Sequence, residues 1–327
     1  MKSKLRALAV VLALPLTLCG CMERGGEGLS WQLNSASPNA PSLPEGLEIG
    51  EEGLPILKVY DAASESVMEM DIEQYVRGVV AGEMKNDWPM EALKAQAILA
   101  RTFVLKFIGD RKSKHEGADI STDVAEAQAY APDSVNERVA EAVRETKGMA
   151  MAYEGEFPNA WFHAHSGGMT ELPSVALEYK GGDPAYLKPV ESREYEEAPE
   201  SARHWTADFT VDQVRKACAD AGTRVAGEIT SVKVGEKGRS GRAATLVVNG
   251  ESVSAPSFRI QIGANKLRST LIDDITVEDG KVTFEGRGFG HGVGLSQWGA
   301  YQLAEEGKSA REIIGAYFSG VEIVELW

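Results

Sequence analysis

Cysteine is almost absent from this chain. The 327 residues hold 3, and two of them, Cys19 and Cys21, close an amino-terminal leader. Only Cys218 remains downstream, so no intrachain disulfide framework is possible there. It sits in a helix-like stretch and reads as a small core residue. Basic runs are missing too. Lys and Arg number 34 against 49 Asp and Glu, the formal net charge is −15, and no Lys/Arg-rich stretch breaks the acidity. That excludes a nucleic-acid partner. The apolar run Ala7–Leu18 falls short of the roughly 20 residues a membrane-spanning helix needs. The glycine-rich stretch near the carboxyl terminus has no following GK[ST] and no complete GxGxxG. It is therefore neither a phosphate loop nor a dinucleotide fingerprint. There is no internal repeat.

What is present begins with an export pattern. Lys2, Lys4 and Arg6 precede the apolar run, which ends in Leu18-Cys19-Gly20-Cys21. This fits a bacterial lipoprotein cleavage box with Cys21 lipidated, and it also fits an uncleaved anchor helix. Both place the protein outside the cytoplasmic membrane and tethered to its outer face. The organisation expected is a signal or anchor over 1–21, a flexible Gly/Ser/Pro/Asn linker over 22–54, and a folded region over 55–327. The acidic run Glu191–Glu200 reads as a solvated loop.

The folded region alternates hairpins and helices, which argues for an α+β fold in one large or two closely packed subdomains. Ile56–Tyr60 and Ser66–Met70 predict a hairpin. Asp71 caps a helix whose apolar face is Ile72, Tyr75, Val76, Val79 and Val80. Pro89 opens a second helix, rich in Ala92, Ala95, Ala97 and Ala100. Val135–Thr146 predicts a further helix. Met149–Tyr153 and Ala160–His165 predict a hairpin turning at Glu154-Gly155. Capping boxes at Thr210 and Ser309 and a cap at Ser296 open three more helices. Ile229–Val234, Ala244–Val248, Phe258–Ile262, Val282–Phe284 and Val321–Leu326 predict strands.

Three places could carry chemistry. Glu83 continues the apolar face of the first helix and lies in its last turn, where the helix dipole disfavours a negative charge. An acid so placed has a raised pKa and suits proton transfer; a surface acid at a frayed helix end is the plainer alternative. His163-Ala-His165 puts two rings on one strand face, as a metal site would, and as plain alternation also would. Two ligands without Cys partners do not make a site, so no metal is expected. The following Ser166-Gly167-Gly168 reads as a turn whose backbone can approach a ligand. Gly286–Gly299 clears side chains from one face around His291 and leads into Ser296, Gln297 and Trp298. It reads either as a sugar-binding groove or as a packed glycine corner.

The chain resembles the SpoIID/LytB family. The residues that carry the likeness are Glu73–Met84, Trp88–Ala97, Ala100–Phe103, Gln128–Tyr130, Ser166–Thr170, Ala185–Leu187, Ser240–Arg242, Phe258-Arg259, Gly286–Ala300 and Tyr317–Gly320. Leu295 and Trp298 depart from the family's more usual Met and Tyr. The resemblance implies a lytic transglycosylase that cuts the MurNAc–GlcNAc β-1,4 bond of peptidoglycan strands stripped of stem peptides, during forespore engulfment in sporulation. It puts the catalytic acid at Glu83. Lys94, Gln96, Arg101, Ser166, Gly167, Gly168, His291, Ser296 and Gln297 are then expected to bind substrate. No cofactor is called for. A cell-wall amidase and a membrane partner of the engulfment machinery are the expected protein partners. A non-catalytic amidase enhancer and a hydrolase using His163, His165 and His291 are the alternatives.

Overall fold

The first core is built on helix α1, Ile72–Glu83, and helix α2, Met90–Asp110. The computed structural model describes residues 39–327, so the leader and Cys21 lie outside the described residues. Asp71 caps α1, its Oδ1 accepting from the Gln74 N–H at 2.8 Å. The apolar face Ile72, Tyr75, Val76, Val79 and Val80 is fully buried. It meets Ala92, Ala95, Ala97 and Ala100 of α2, all equally buried. Short side chains there let the two helices approach closely. Helix α3, Glu137–Glu145, is capped by Asn136 and packs on both.

A hairpin of Pro55–Asp61 and Ser66–Asp71 leads into α1 as expected. The folded region starts earlier than the linker boundary allowed. Glu48–Ile49 pairs antiparallel with Pro55–Ile56, and Leu43, Leu47 and Leu54 lie against or within the apolar interior. Those leucines give residues 39–54 enough apolar contact to order them.

A second hydrophobic cluster is built entirely from residues between Trp205 and Phe284. The chain leaves the first core after Ala198 and rejoins it at Val293. The second cluster rests on a three-stranded antiparallel sheet of His204–Thr210, Ile272–Glu278 and Lys281–Arg287. Mixed helices and mainly antiparallel sheets give the expected α+β class.

Two expectations fail here. Phe258–Ile262 is not a strand but the body of a helix, Ala255–Gly263, capped by Ser254 with Pro256 in its first turn. The cap and the proline outweigh the β-propensity of Phe and Ile. Met149–Ala152 and Phe162–His163 do not pair with each other. Met149–Ala152 pairs with Glu322–Glu325 at the carboxyl terminus, and Phe162–His163 pairs in parallel with Leu295–Ser296. A turn at Glu154-Gly155 does form, but it joins only Tyr153 to Glu156.

A buried ion pair ties the first core to the end of the chain. Arg101 Nε and Nη2 donate to Glu73 Oε1 and Oε2 at 3.0 and 2.6 Å. Glu73 Oε1 also accepts from the Gly148 N–H at 3.1 Å and from Trp327 Nε1 at 3.2 Å. Arg101 is fully buried and Glu73 nearly so. Arg101 therefore does not reach substrate, contrary to its expected role; its guanidinium is committed to Glu73 and the Met149 carbonyl.

Candidate active site

Glu83 ends α1 at a point where another segment presses on the helix. Gly78 and Gly82 lack the Cβ atoms that would collide with Tyr130 and with the Ala129 backbone. The Gly78 carbonyl accepts from the Ala131 N–H at 2.9 Å. This close approach brings the Ala129 N–H to Glu83 Oε1 at 2.7 Å. The Gln297 side chain is a second donor to the Glu83 carboxylate. Burial pushes the Glu83 carboxyl above its usual range, and the donors from Ala129 and Gln297 only partly offset it. A half-buried acid held by two donors, with a raised pKa, can exist protonated and give up its proton to a bound oxygen.

Gln297 opens the helix Gln297–Glu305, capped by Ser296. Its Nε2 also reaches Gln96 Oε1 at 3.5 Å, so Gln96, Gln297 and Glu83 form one buried polar group. Gln128, next to Ala129 in sequence, is buried, and among the described residues neither of its side-chain polar atoms has a hydrogen-bond partner. Trp88 and Trp298 pack in a tilted pair beside this group, with ring centroids 4.5 Å apart and planes at 51°, and Tyr195 and Tyr301 extend the aromatic cluster. Lys85 lies over the Trp298 ring at 6.0 Å. Trp88 and Trp298 are buried in the core, so the half-buried Tyr195 and Tyr301 are the aromatic faces of this cluster open to a sugar ring.

A second carboxylate, Glu194, directly precedes Tyr195 of the aromatic cluster. Glu194 accepts from the Ser296 hydroxyl at 2.9 and 3.0 Å, from the Ser166 N–H at 3.1 Å, and from the Ser166 hydroxyl. It belongs to the acidic run read from sequence as a solvated loop; the structure folds that loop back so that Glu194 is held by two serines. Ser166 and Ser296 thus meet through Glu194.

Arg242 holds the Ser166-Gly167-Gly168 turn from beneath. It is fully buried and donates to the Ser166 and Met169 carbonyls at 2.8 and 3.1 Å. The glycine-rich stretch closes over it. A side chain at Gly292 would strike the Arg242 guanidinium, one at Gly290 the His163 Cβ, and one at Gly294 the Trp161 carbonyl. All three glycines have positive φ, of 99, 86 and 71° for Gly290, Gly292 and Gly294. Of the two readings of this stretch, the geometry is that of a packed corner.

The remaining expected residues lie apart. Lys94 pairs with Glu91 and Glu145 at 2.8 and 2.5 Å and joins α2 to α3. With its charge committed to those two acids, it is not part of the group around Glu83. His291 shares no contact with Glu83. Its Nδ1 accepts from the Val293 N–H at 3.0 Å, and its ring lies 5.7 Å from that of His163. His163 Nδ1 pairs with the Val293 carbonyl at 3.1 Å, and His165 Nδ1 accepts from the Gly167 N–H at 3.0 Å. Each imidazole therefore spends one nitrogen on the backbone. Among the described residues no group of three or more His, Cys, Asp or Glu side chains is arranged to hold a metal ion.

Comparison with known proteins follows the two cores. Residues 60–153, within the first, match the SpoIID family profile, described as stage II sporulation protein. Residues 183–294, mostly the second, match a domain of unknown function. Stage II sporulation protein D of Bacillus amyloliquefaciens is 32% identical over 280 residues, covering 82% of this chain and 78% of that protein. Stage II sporulation protein D of Bacillus subtilis is 29% identical over 332 residues, covering 97% of this chain and 93% of that one. An amidase enhancer of Bacillus subtilis is 27% identical over 291 residues, covering 76% of this chain but 40% of that protein.

Proposed function

The chain belongs to the SpoIID family of stage II sporulation proteins, and from that premise we propose that it is a peptidoglycan lytic transglycosylase acting in sporulation. The observation that carries this is Glu83: a carboxyl with a raised pKa, held by Ala129 and Gln297 beside the Trp88–Trp298 aromatic cluster. Protonated, it gives its proton to the leaving O4 of the β-1,4 bond. The resulting carboxylate then takes the proton from the MurNAc 6-hydroxyl, which attacks C1 and closes the 1,6-anhydro ring. Gln96 and Gln297, both buried, orient Glu83 from behind. Ser166 and Ser296, both buried, position Glu194, and the Gly167-Gly168 turn borders the glycan. The substrate is a strand whose stem peptides an amidase has removed, and the setting is engulfment of the forespore.

Hydrolysis instead would need a second carboxylate to activate water. Glu194 is the available one, but its oxygens are taken up by Ser166 and Ser296. Ring closure by the substrate's own hydroxyl needs no such base. Digestion of denuded glycan in ¹⁸O-labelled water tests this. The expected products end in 1,6-anhydro-MurNAc without label, and Glu194→Gln slows turnover without changing the product. Labelled reducing ends would overturn the reading and make Glu194 the water-activating base.

The amidase enhancer among the relatives supports a second reading, in which the domain binds glycan and stimulates a partner amidase without cutting. Glycan left intact by the purified chain, with amidase activity still stimulated, is the outcome that selects it. In both readings the protein is exported and held at the outer face of the membrane through Cys21, next to an amidase and a membrane partner. Cys21→Ser is expected to release the protein into the soluble fraction; unchanged attachment and mobility would rule out lipidation.

A further inference from the structure

Arg259 is a buried cation with no counter-ion among the described residues. It is 8% exposed. Its Nε and Nη2 donate to the carbonyls of Arg268 and Ala264 at 3.1 and 3.2 Å, and it makes no hydrogen bond or ion pair to a carboxylate among the described residues. The other buried arginines differ. Arg101 has Glu73, and Arg242 feels both Glu171 and Glu194. Burial alone brings the Arg259 pKa down to about 10, with no anion opposing it. Glu178 offers no relief, because it takes the hydroxyls of Ser254 and Ser257 and pairs with Lys180.

Leaving a charge buried and unpaired is expensive. Here the residue lines a cavity of about 230 Å³, together with Gln261, Thr270 and His291. Burial, then the nearby Arg259 and Arg242 charges, hold the His291 pKa down at about 3, so the ring is neutral and adds no repulsion to an incoming anion. The cavity is smaller than the ~300–1,000 Å³ of ordinary small-molecule sites. It suits one acid group and the edge of the sugar that carries it. An arginine fork matches the two oxygens of a carboxylate.

We propose that the Arg259 cavity binds the lactyl carboxylate of a muramic acid residue that has lost its stem peptide. The proposal rests on the reading of this protein as one that acts on denuded glycan. Cutting the lactyl–peptide amide leaves that carboxylate free, so the anion exists only on a stripped strand. Buried side chains lie between the cavity and the Glu83 group. Gln297 follows Ser296, Ser296 pairs with His163 in strand register, and the His163 ring lies 5.7 Å from that of His291. Recognition of a stripped strand would then be built into the protein rather than left to the amidase.

The test is direct binding to the full chain, read by NMR of the His291 ring. N-acetylmuramic acid, its methyl ester and a free stem peptide are titrated separately. N-acetylmuramic acid is expected to shift the His291 signals, with the ester weaker by about tenfold or more, as loss of a charge-assisted hydrogen bond implies. Arg259→Gln is expected to abolish the shift while the rest of the spectrum holds. Equal binding of acid and ester overturns the proposal, as does a shift that survives Arg259→Gln. Binding of the peptide but not of the sugar acid overturns it too, in favour of a peptide-end site. If Arg259→Gln fails to fold, the acid–ester comparison on the unaltered chain decides alone. No cleavage enters this readout, so a chain that binds the acid but cuts nothing counts against the transglycosylase reading only.

Discussion

Glu83→Gln folds normally, melts no lower than the unaltered chain at neutral pH, and cuts no glycan. The loss of activity follows from the chemistry: the amide keeps the shape but can neither give nor take the proton. Loss of general acid–base catalysis alone is worth ~10²–10⁴ in rate. The stability half follows from the raised pKa. A carboxyl whose pKa is higher in the folded than in the unfolded chain favours folding when protonated. That contribution is complete below the ordinary glutamate value of 4.5 and fades as pH rises through the raised folded value. Above the raised value the ionised Glu83 works against the fold, and the neutral amide relieves it. Melting curves of the two chains are expected to differ most above that window and to converge below it. The rate should fall as pH climbs past the raised value, because the protonated acid is then scarce. A variant that melts several degrees lower at pH 7, or that keeps measurable cleavage, is incompatible with this account.

Arg101→Met loses stability on a scale that few single changes reach. The substitution leaves the Glu73 carboxylate buried with only the Gly148 and Trp327 donors. Breaking a buried pair by removing one partner costs about 3–5 kcal/mol, and urea unfolding measures it. The double variant Glu73→Gln with Arg101→Met should lose less than the sum of the two single changes, since neither charge is then stranded. A loss for Arg101→Met below about 1 kcal/mol, the scale of an exposed pair, would contradict the burial seen here.

The helix that carries Glu83 was legible in the sequence, because everything that marks that helix is local, whereas the Ala129 and Gln297 partners of Glu83 are not. The Asp71 cap, the apolar repeat and the position in the last turn all fall within one helix. The capping boxes at Thr210 and Ser309 were legible for the same reason, and both form. What escaped was non-local. Glu194 looked like one acid among many because its serine partners lie 28 and 102 residues away. Gly78 and Gly82 gave no hint that another segment would press on them. Met149–Ala152 looked for a neighbour and found one at the far end of the chain. The Ala255–Gly263 helix was a different kind of miss. Its signal, Ser254 followed by Pro256, was local and present, but β-propensity hid it.

The ring of contacts on Glu73 also bears on when the protein can fold. Helix α1, helix α2 and residues after Gly148 belong to the early part of the chain, yet their shared carboxylate waits for Trp327, the last residue. The strand Met149–Ala152 likewise waits for Glu322–Glu325. Contacts between such distant segments must overcome the entropy of closing the loop between them before they stabilise anything, and this slows folding. The cluster bounded by Trp205 and Phe284 has no such debt to either terminus. Its formation needs neither Trp327 nor Glu322–Glu325, whereas the Glu73 contacts and the Met149–Ala152 strand do.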